Sequence, residues 1–475
     1  MGIVRTIARN TAALAVAQIA YQLSSLVLSI LLARYLGEND YGVYVFAFAV
    51  ASLAFIIADF SFGMILIVEV SRQKEIAPQY VANTLFLRLV LGAISIAIVI
   101  AFTWLRALPL IAAFSLIIIA FSTLMNFLST VFAYAFNAFE KMHYILFTSL
   151  IERAFTVTVS AALVMSGFGL EYVVLVNLIG SLFNFIVTYL VLTKFVVKLE
   201  AKVSIPAAIS ELRRAIPFAS AVIFITTLYT LNMILVQSWS GNAAAAFYGV
   251  GYNLGVAVIA LPGFFVGAIL PVTSQLYRSS MEMVRVLQQK TMKFLFSLGL
   301  PMAIGGVLLG DKIILFFYGS EYEPAIGVFQ LLSVAIAVVY FSSGAGNILA
   351  SANLMRLSTI GAGISAGVNL VACIILIPMY AQYGAAAAFL LGNISMAIAG
   401  QYYLSKHVFR LNYKDIALKP TIASAGMALV LFFLLREINV FVTIAVSIVV
   451  YFALFFSLRT LDAEDMEIIR KVFRK

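Results

Sequence analysis

Charge is scarce in this sequence. Asp, Glu, Lys and Arg make up 11% of its 475 residues, against 64% that are hydrophobic, whereas a soluble protein carries about a quarter charged residues. Cysteine occurs once, as Cys373 inside an apolar run, which excludes a disulfide framework and a thiolate-held metal cluster. Histidine occurs twice, as His143 and His407, far apart in the chain, so no metal site is assigned. No glycine-rich loop ending in Lys-Ser or Lys-Thr is found, which removes ATP hydrolysis by this chain. No cofactor and no catalytic residue is indicated. Ten-residue stretches of alternating hydrophobicity are missing too, and with them the closed β-barrel.

What the chain has is apolar sequence in long runs. Mean hydropathy is +1.08. Runs of about twenty apolar residues, enough to cross a ~30 Å hydrocarbon core as a helix, recur from end to end. They predict an all-α polytopic membrane protein of about 14 transmembrane helices. The first seven are placed at 11–33, 41–69, 82–104, 108–135, 144–166, 171–194 and 214–238. The rest are placed at 246–271, 290–310, 324–350, 356–378, 383–405, 419–436 and 440–459. Arg5 and Arg9 precede the first run and no small-residue cleavage site follows it, so it is read as an uncleaved span. Segments 195–213 and 272–289 are amphipathic and basic, the pattern of helices lying along a bilayer surface. No connection is long enough for a soluble enzyme domain, so the chain is not expected to be an enzyme.

The net charge of +10 would raise the question of nucleic acid in a soluble protein. Here the basic residues sit in short loops. With a cytoplasmic N-terminus, 26 of the 30 Lys and Arg residues fall on the inner side, leaving Arg34, Arg106, Lys312 and Arg436 outside. That is the positive-inside bias. It predicts a multi-pass protein of the cell membrane with both termini cytoplasmic and no nucleic-acid partner.

The chain also repeats itself. Tyr41-Gly42-Val43-Tyr44 recurs at Tyr248-Gly249-Val250-Gly251-Tyr252, Ala138–Met142 aligns with Ser351–Met355, and Thr193-Lys194 with Ser405-Lys406, at offsets of 207, 213 and 212. These divide the chain into an N-lobe of helices 1–6 (1–194), a cytoplasmic amphipathic linker (195–213) and a C-lobe of helices 7–12 (214–405). Helices 13–14 and a cytoplasmic tail (406–475) stand outside the repeat. Six is an even number, so the copies share one orientation, an arrangement suited to a central cavity opened to each side in turn.

These features resemble the polysaccharide-transporter branch of the MOP flippase superfamily, the O-antigen-flippase-like carriers of lipid-linked oligosaccharides. The resemblance is carried by Arg9-Asn10-Thr11, by Ala33-Arg34-Tyr35-Leu36-Gly37 with Tyr41-Gly42, and by Ala58-Asp59-Phe60. It continues in Phe317-Tyr318-Gly319-Ser320-Glu321-Tyr322, in Ile377-Pro378 and in Tyr383-Gly384-Ala385-Ala386. It implies a flippase that moves a polyprenyl-(pyro)phosphate-linked oligosaccharide from the inner to the outer leaflet by alternating access, coupled to an ion. Its implied partners are that substrate, the bilayer and glycan-assembly proteins, and the carrier is expected to act as a monomer. A multidrug or cation antiporter and a cell-wall lipid-precursor flippase are the alternatives within the superfamily. A membrane glycan polymerase would need a large polar outer loop, and the longest here is about 311–323.

A charge at the centre of a span costs about 2.5–3.5 kcal/mol on insertion scales, so each embedded charge needs a partner or a purpose. Four stand out: Asp59, Arg88, Glu152 and Arg153. At ~1.5 Å per residue they lie roughly 9–15 Å from the cytoplasmic helix ends, in one layer. Arg88 and Arg153 are candidate contacts for substrate phosphate, since guanidinium presents paired donors to phosphate oxygens. Asp59 and Glu152 are candidate sites for the coupling ion. The other reading is a structural network, because two acids and two bases sum to zero. Arg34 is a candidate outer gate or a headgroup anchor. The C-lobe offers only neutral polar residues at depth, such as Asn232, Asn253, Asn347, Asn369 and Gln401, and Pro262, Pro271 and Pro301 are expected to kink helices 8 and 9.

The charge bias makes orientation testable. With Cys373 replaced by alanine, cysteines at Ser240 and Ser320 are expected to react with an impermeant thiol reagent supplied outside. Cysteines at Ser204 and Ser279 are expected to stay unlabelled. The reverse pattern would invert the protein.

Overall fold

A computed structural model describes residues 2–59, 62–199, 203–434, 439–458 and 460. Phe60, Arg436 and the tail 461–475 lie outside the described residues. Among those described, the chain is helical and has no strand. The first eight helices are α1 (Gly2–Ala54), α2 (Ile56–Asp59), α3 (Phe62–Arg72), α4 (Ala77–Leu105), α5 (Leu110–Ala138), α6 (His143–Met165), α7 (Leu170–Phe195) and α8 (Ile205–Ile259). The next eight are α9 (Leu261–Ser279), α10 (Met281–Leu308), α11 (Gly310–Tyr318), α12 (Ala325–Ser342), α13 (Ala345–Ser351), α14 (Met355–His407), α15 (Tyr413–Leu434) and α16 (Val440–Ser457).

Eleven helical stretches among the described residues are long and apolar enough to cross a membrane. Three of them, Val16–Ala54, Thr226–Gly267 and Met355–His407, run for 39, 42 and 53 residues, well beyond the ~20 that one crossing needs. Each contains one residue with non-helical dihedrals: Gly37 (φ 76°, ψ 172°), Gly241 (φ 87°, ψ −179°) and Ala381 (φ 47°, ψ −124°). The dihedrals of Gly37 and Gly241 belong to a region that only glycine occupies readily, so a side chain at either position would oppose the break.

Eight of the nine residues with positive φ among those described recur at a near-constant spacing, Gly344 being the ninth. Gly37, Ala107, Glu140 and Gly167 have positive φ, as do Gly241, Gly319, Asn353 and Ala381 in the same order, 204, 212, 213 and 214 residues later. Both α1 and α8 are followed by one non-helical residue before the next helix begins, at Ile56 and Leu261. At the second break the cause is legible: Pro262 has no N–H for the Val258 carbonyl and its ring crowds the preceding turn. The Tyr340 hydroxyl donates to that carbonyl at 2.9 Å. Pro301, by contrast, sits within α10 without breaking it.

Polarity is inverted relative to a soluble protein. On α4, Leu89, Val90, Ile94 and Ile98 are 45–48% exposed, while Thr84, Arg88 and Ser95 are buried. A bilayer accepts the first set, and the second has to find partners inside. Ser95 donates to the Ala54 carbonyl at 2.9 Å, at the end of α1.

Contacts divide the chain into two compact units, 1–246 and 247–475. The core of the first is built from the second half of α1 with α4, α5 and α7, around Phe46, Phe55, Leu116 and Ile119. In the second, α10 packs against α12 and α15, and α15 against α16. The Tyr451 hydroxyl of α16 donates to the Ser297 carbonyl of α10.

Within the first unit Gly42 lies against the backbone of Asn242, so close that a Cβ on Gly42 would come within 2.0 Å of the Asn242 carbonyl oxygen. Backbone cannot retreat as a side-chain tip can. Gly42→Ala is therefore expected to cost about 1–3 kcal/mol, the range for overpacking, read as a lowered unfolding temperature of the purified protein. Gly305, whose Cβ would meet nothing within 4 Å, should accept alanine without loss.

Candidate functional site

The four embedded charges resolve into two pairs with different surroundings. Arg88, on α4, is fully buried, and its Nη2 is 2.6 Å from Asp59 Oδ1, at the end of α2. Its Nη1 donates to the Phe127 carbonyl and to Thr130 Oγ1. Phe127 and Tyr134 of α5 place their rings 5.5 and 5.3 Å from the guanidinium carbon. Space for Tyr134 is left by Gly63, where a Cβ would fall 2.2 Å from the ring. Asp59 keeps 31% of its side chain exposed. Arg88 is thus enclosed by one carboxylate, two oxygens and two rings, which together repay the desolvation of a buried guanidinium.

Glu152 and Arg153 lie on α6. Adjacent helical residues point about 100° apart, which suggests separate partner helices. The structure adds that the two also meet each other: Arg153 Nε is 3.4 Å from Glu152 Oε2. Thr156 donates to Glu152 Oε1 at 3.3 Å. Arg153 stands face-on over Tyr21 of α1, 3.9 Å from the ring centroid, a cation–π geometry. Tyr44 lies beside it and is hydrogen-bonded to Asn177. The Arg153 side chain stays 18% exposed, and its Nε has no hydrogen-bond partner. Among the described residues the two pairs share no partner.

Arg34 is exposed near the end of the first half of α1, three residues before Gly37. Three amides bond to backbone carbonyls: half-buried Asn347 to Val266 at 3.3 Å, and buried Asn177 to Val173 and Asn393 to Phe389, each at 2.9 Å. They act as cement between and along helices.

Several polar residues escaped the sequence reading. Thr148, Thr156 and Ser160 are buried on α6 in register with Glu152, and their spacing of four marks one helix face, a signal visible in the sequence. Lys293 of α10 is buried at 4% exposure, so the second half of the chain does carry an embedded charge. It was passed over because it lies within one turn of Lys290 and the amphipathic segment before it. Glu211, in the linker, is buried as well.

The second unit has an open groove of about 980 Å³ between α10, α12, the end of α14 and α15. Phe296, Leu300, Val338, Phe341, Ile394 and Ile398 give it apolar walls. Gln401, Tyr402, Ser405, Arg410 and Tyr413 gather polar groups at one end, where Tyr413 donates to Gln401 Oε1 at 3.2 Å. Among the described residues no group of three or more His, Cys, Asp or Glu side chains could hold a metal ion.

Solved structures share this helical membrane fold. The lipid II flippase MurJ in its inward closed conformation superposes with a TM-score of 0.77 at 15% identity, covering 97% of this chain and 99% of that one. An inward-facing multidrug resistance MATE family transporter of the MOP superfamily gives a TM-score of 0.63 at 14% identity, over 80% and 93% of the two chains. A MOP superfamily transporter from Pyrococcus furiosus gives 0.59 at 14% identity, over 84% and 94%. This is the fold of the MOP superfamily, whose members here are transporters and flippases rather than enzymes. The chain belongs to the polysaccharide biosynthesis protein family, which matches residues 7–277. An uncharacterized membrane protein of Methanocaldococcus jannaschii is 29% identical over 260 residues, 52% of this chain and 50% of the relative. The chain therefore spans about half the length of that relative.

The enclosure of Arg88 sets an expectation for stability. Arg88→Gln strands Asp59 and should cost about 3–5 kcal/mol, the range for breaking one side of a buried pair. Adding Asp59→Asn should recover part of the loss. Thermal unfolding of the purified variants measures both, and equal stability of all three proteins would refute the pairing.

Proposed function

We propose that this protein is a flippase that carries a polyprenyl-(pyro)phosphate-linked oligosaccharide from the cytoplasmic to the outer leaflet by alternating access. Counting each double-length helical stretch as two crossings brings the eleven spans to fourteen. The recurrence of left-handed positions supports two six-helix lobes at 1–194 and 214–405, joined by the linker 195–213 and followed by two further helices.

The observation that carries the reading is the state of Arg153. It is a membrane-embedded guanidinium that is held by a ring and one neighbouring carboxylate, is partly exposed, and has an unmatched donor. Phosphate would meet the exposed part of the guanidinium with the paired geometry guanidinium favours. Arg88 also keeps an unbonded Nε, but its side chain is fully buried and its Nη atoms are already bound to Asp59, the Phe127 carbonyl and Thr130, so it serves as a positioning residue. When phosphate reaches Arg153 it competes with Glu152 for the guanidinium. That frees the carboxylate to take up a proton or cation, so Glu152 is favoured over Asp59 as the coupling site. The apolar groove with Arg410 and Ser405 at its polar end has the chemistry of a lipid tail beneath a charged head. The multidrug antiporter is the second reading. Against it stands the larger share of this chain matched by the lipid II flippase, 97% against 80–84% for the MATE structures.

Transport of lipid-linked oligosaccharide in reconstituted vesicles tests this. Arg153→Gln should lower the rate at least tenfold at unchanged protein level. Arg153→Lys, which keeps charge but loses the paired donors, should fall between. Full transport by Arg153→Gln would remove the phosphate assignment and favour the antiporter.

A further inference from the structure

The amphipathic segment read as a linker and the span that follows it are one rod: α8 starts at Ile205, and its first non-helical residue is Gly241. The Ile205 end of this rod is seated in the first unit. Ala208 and Ala215 are buried with Phe62, Ile65 and Leu87, and Leu212 packs on the same cluster. Within that contact lies Glu211, 5% exposed. Asn83 donates to its Oε1 at 3.0 Å and Thr84 to its Oε2 at 3.5 Å. Asn83 Oδ1 in turn accepts the Ser204 N–H at 2.9 Å, fastening the chain just ahead of α8.

Charged neighbours do not neutralise this carboxyl. Arg214, one turn further on, is ion-paired with Glu69 of α3 and touches Tyr80 of α4. Arg72 of α3 acts on Glu69, and Arg213 is exposed. Glu211 is left with two neutral donors in an apolar contact, in the linker 195–213 and outside the span placed at 214–238.

We propose that Glu211 is a proton-binding latch: with its carboxyl protonated it holds the Ile205 end of α8 against α3 and α4, and with its carboxylate ionised it lets that end go. The exchange is a single proton between the carboxylate and bulk water. The latch is independent of which substrate the protein carries, and it places a titrating group away from Asp59 and Glu152.

Burial lifts the Glu211 carboxyl to about 7, and the hydrogen bonds from Asn83 and Thr84 and the charge of Arg214 only partly oppose this. A released Glu211 would return to the ordinary value near 4.5. The seated state thus binds the proton more tightly, so by linkage seating is firmest below that ordinary value. It weakens about tenfold per pH unit as the pH climbs toward 7, then levels off.

The test uses the full-length protein in lipid nanodiscs, with Cys373→Ala and a single reporter, Ala208→Cys, at the seated face. Its maleimide labelling rate is divided by that of Ser279→Cys, an exposed reference, which cancels the reagent's own pH dependence. The ratio is expected to rise at least tenfold between pH 5 and 8. In a Glu211→Gln background, which stays neutral, keeps an acceptor for Asn83 and can donate to the Thr84 hydroxyl, it should remain low throughout. Infrared titration of wild type minus Glu211→Gln should show a carboxylic acid band lost near pH 7. A flat labelling ratio in the wild type, a pH response that survives Glu211→Gln, or a carboxyl that titrates in the ordinary range would each overturn the latch.

Discussion

In hydrocarbon an unpaired backbone carbonyl or N–H costs several kcal/mol, because no water is there to take its place. Each interruption of a helix in this chain has to be answered by a neighbour, and the answers explain much of the internal polarity. Where α1 ends, Ser95 of α4 donates to the Ala54 carbonyl. Where Pro262 leaves the Val258 carbonyl without its N–H, Tyr340 supplies a hydroxyl. Ser122 donates to the Asn177 carbonyl, Gln330 to Val307 and Ser365 to Gly392. These bonds tie helix to helix where apolar packing alone gives no preference over lipid. A serine or glutamine in a span is therefore first a structural element, and a substrate role needs a further observation.

The same standard separates the two arginines. Arg88 meets Asp59, a carbonyl, a hydroxyl and two rings and is fully buried. Arg153 meets Tyr21 and Glu152 and still shows part of its surface. Both are single basic residues within apolar runs, and the one local difference, Glu152 next to Arg153, would suggest that Arg153 is the better neutralised of the two. What distinguishes them is which helix lies opposite, a tertiary property.

Fold class was legible because insertion energetics act on runs of residues, and a run is visible in one dimension. The aligned segments 138–142 and 351–355 each contain a residue in the left-handed region, Glu140 and Asn353, which is in keeping with the repeat expected from the sequence. Other features were hidden by their context. Lys293 and Glu211 stand in or beside amphipathic stretches, where a charge looks solvated, and only packing shows them to be buried. Membrane-facing and interior residues are both apolar, so the alternation that betrays a soluble core is muted here. The polar stripe of α6 was readable from its spacing, because a polar face is the exception in a span.

Gly37 and Gly241 have a mechanical consequence. Each joins two helical rods through a single residue, which leaves no slack between them. Rods joined in this way can pivot about the joint but cannot slide past one another, since sliding would require chain to be paid out. A conformational cycle in this protein would have to be assembled from rotations about fixed points. Its stroke would then be set by the lengths of the rods more than by the softness of loops, and shortening a helix by one turn would change the geometry of the cycle before it changed the stability of the fold.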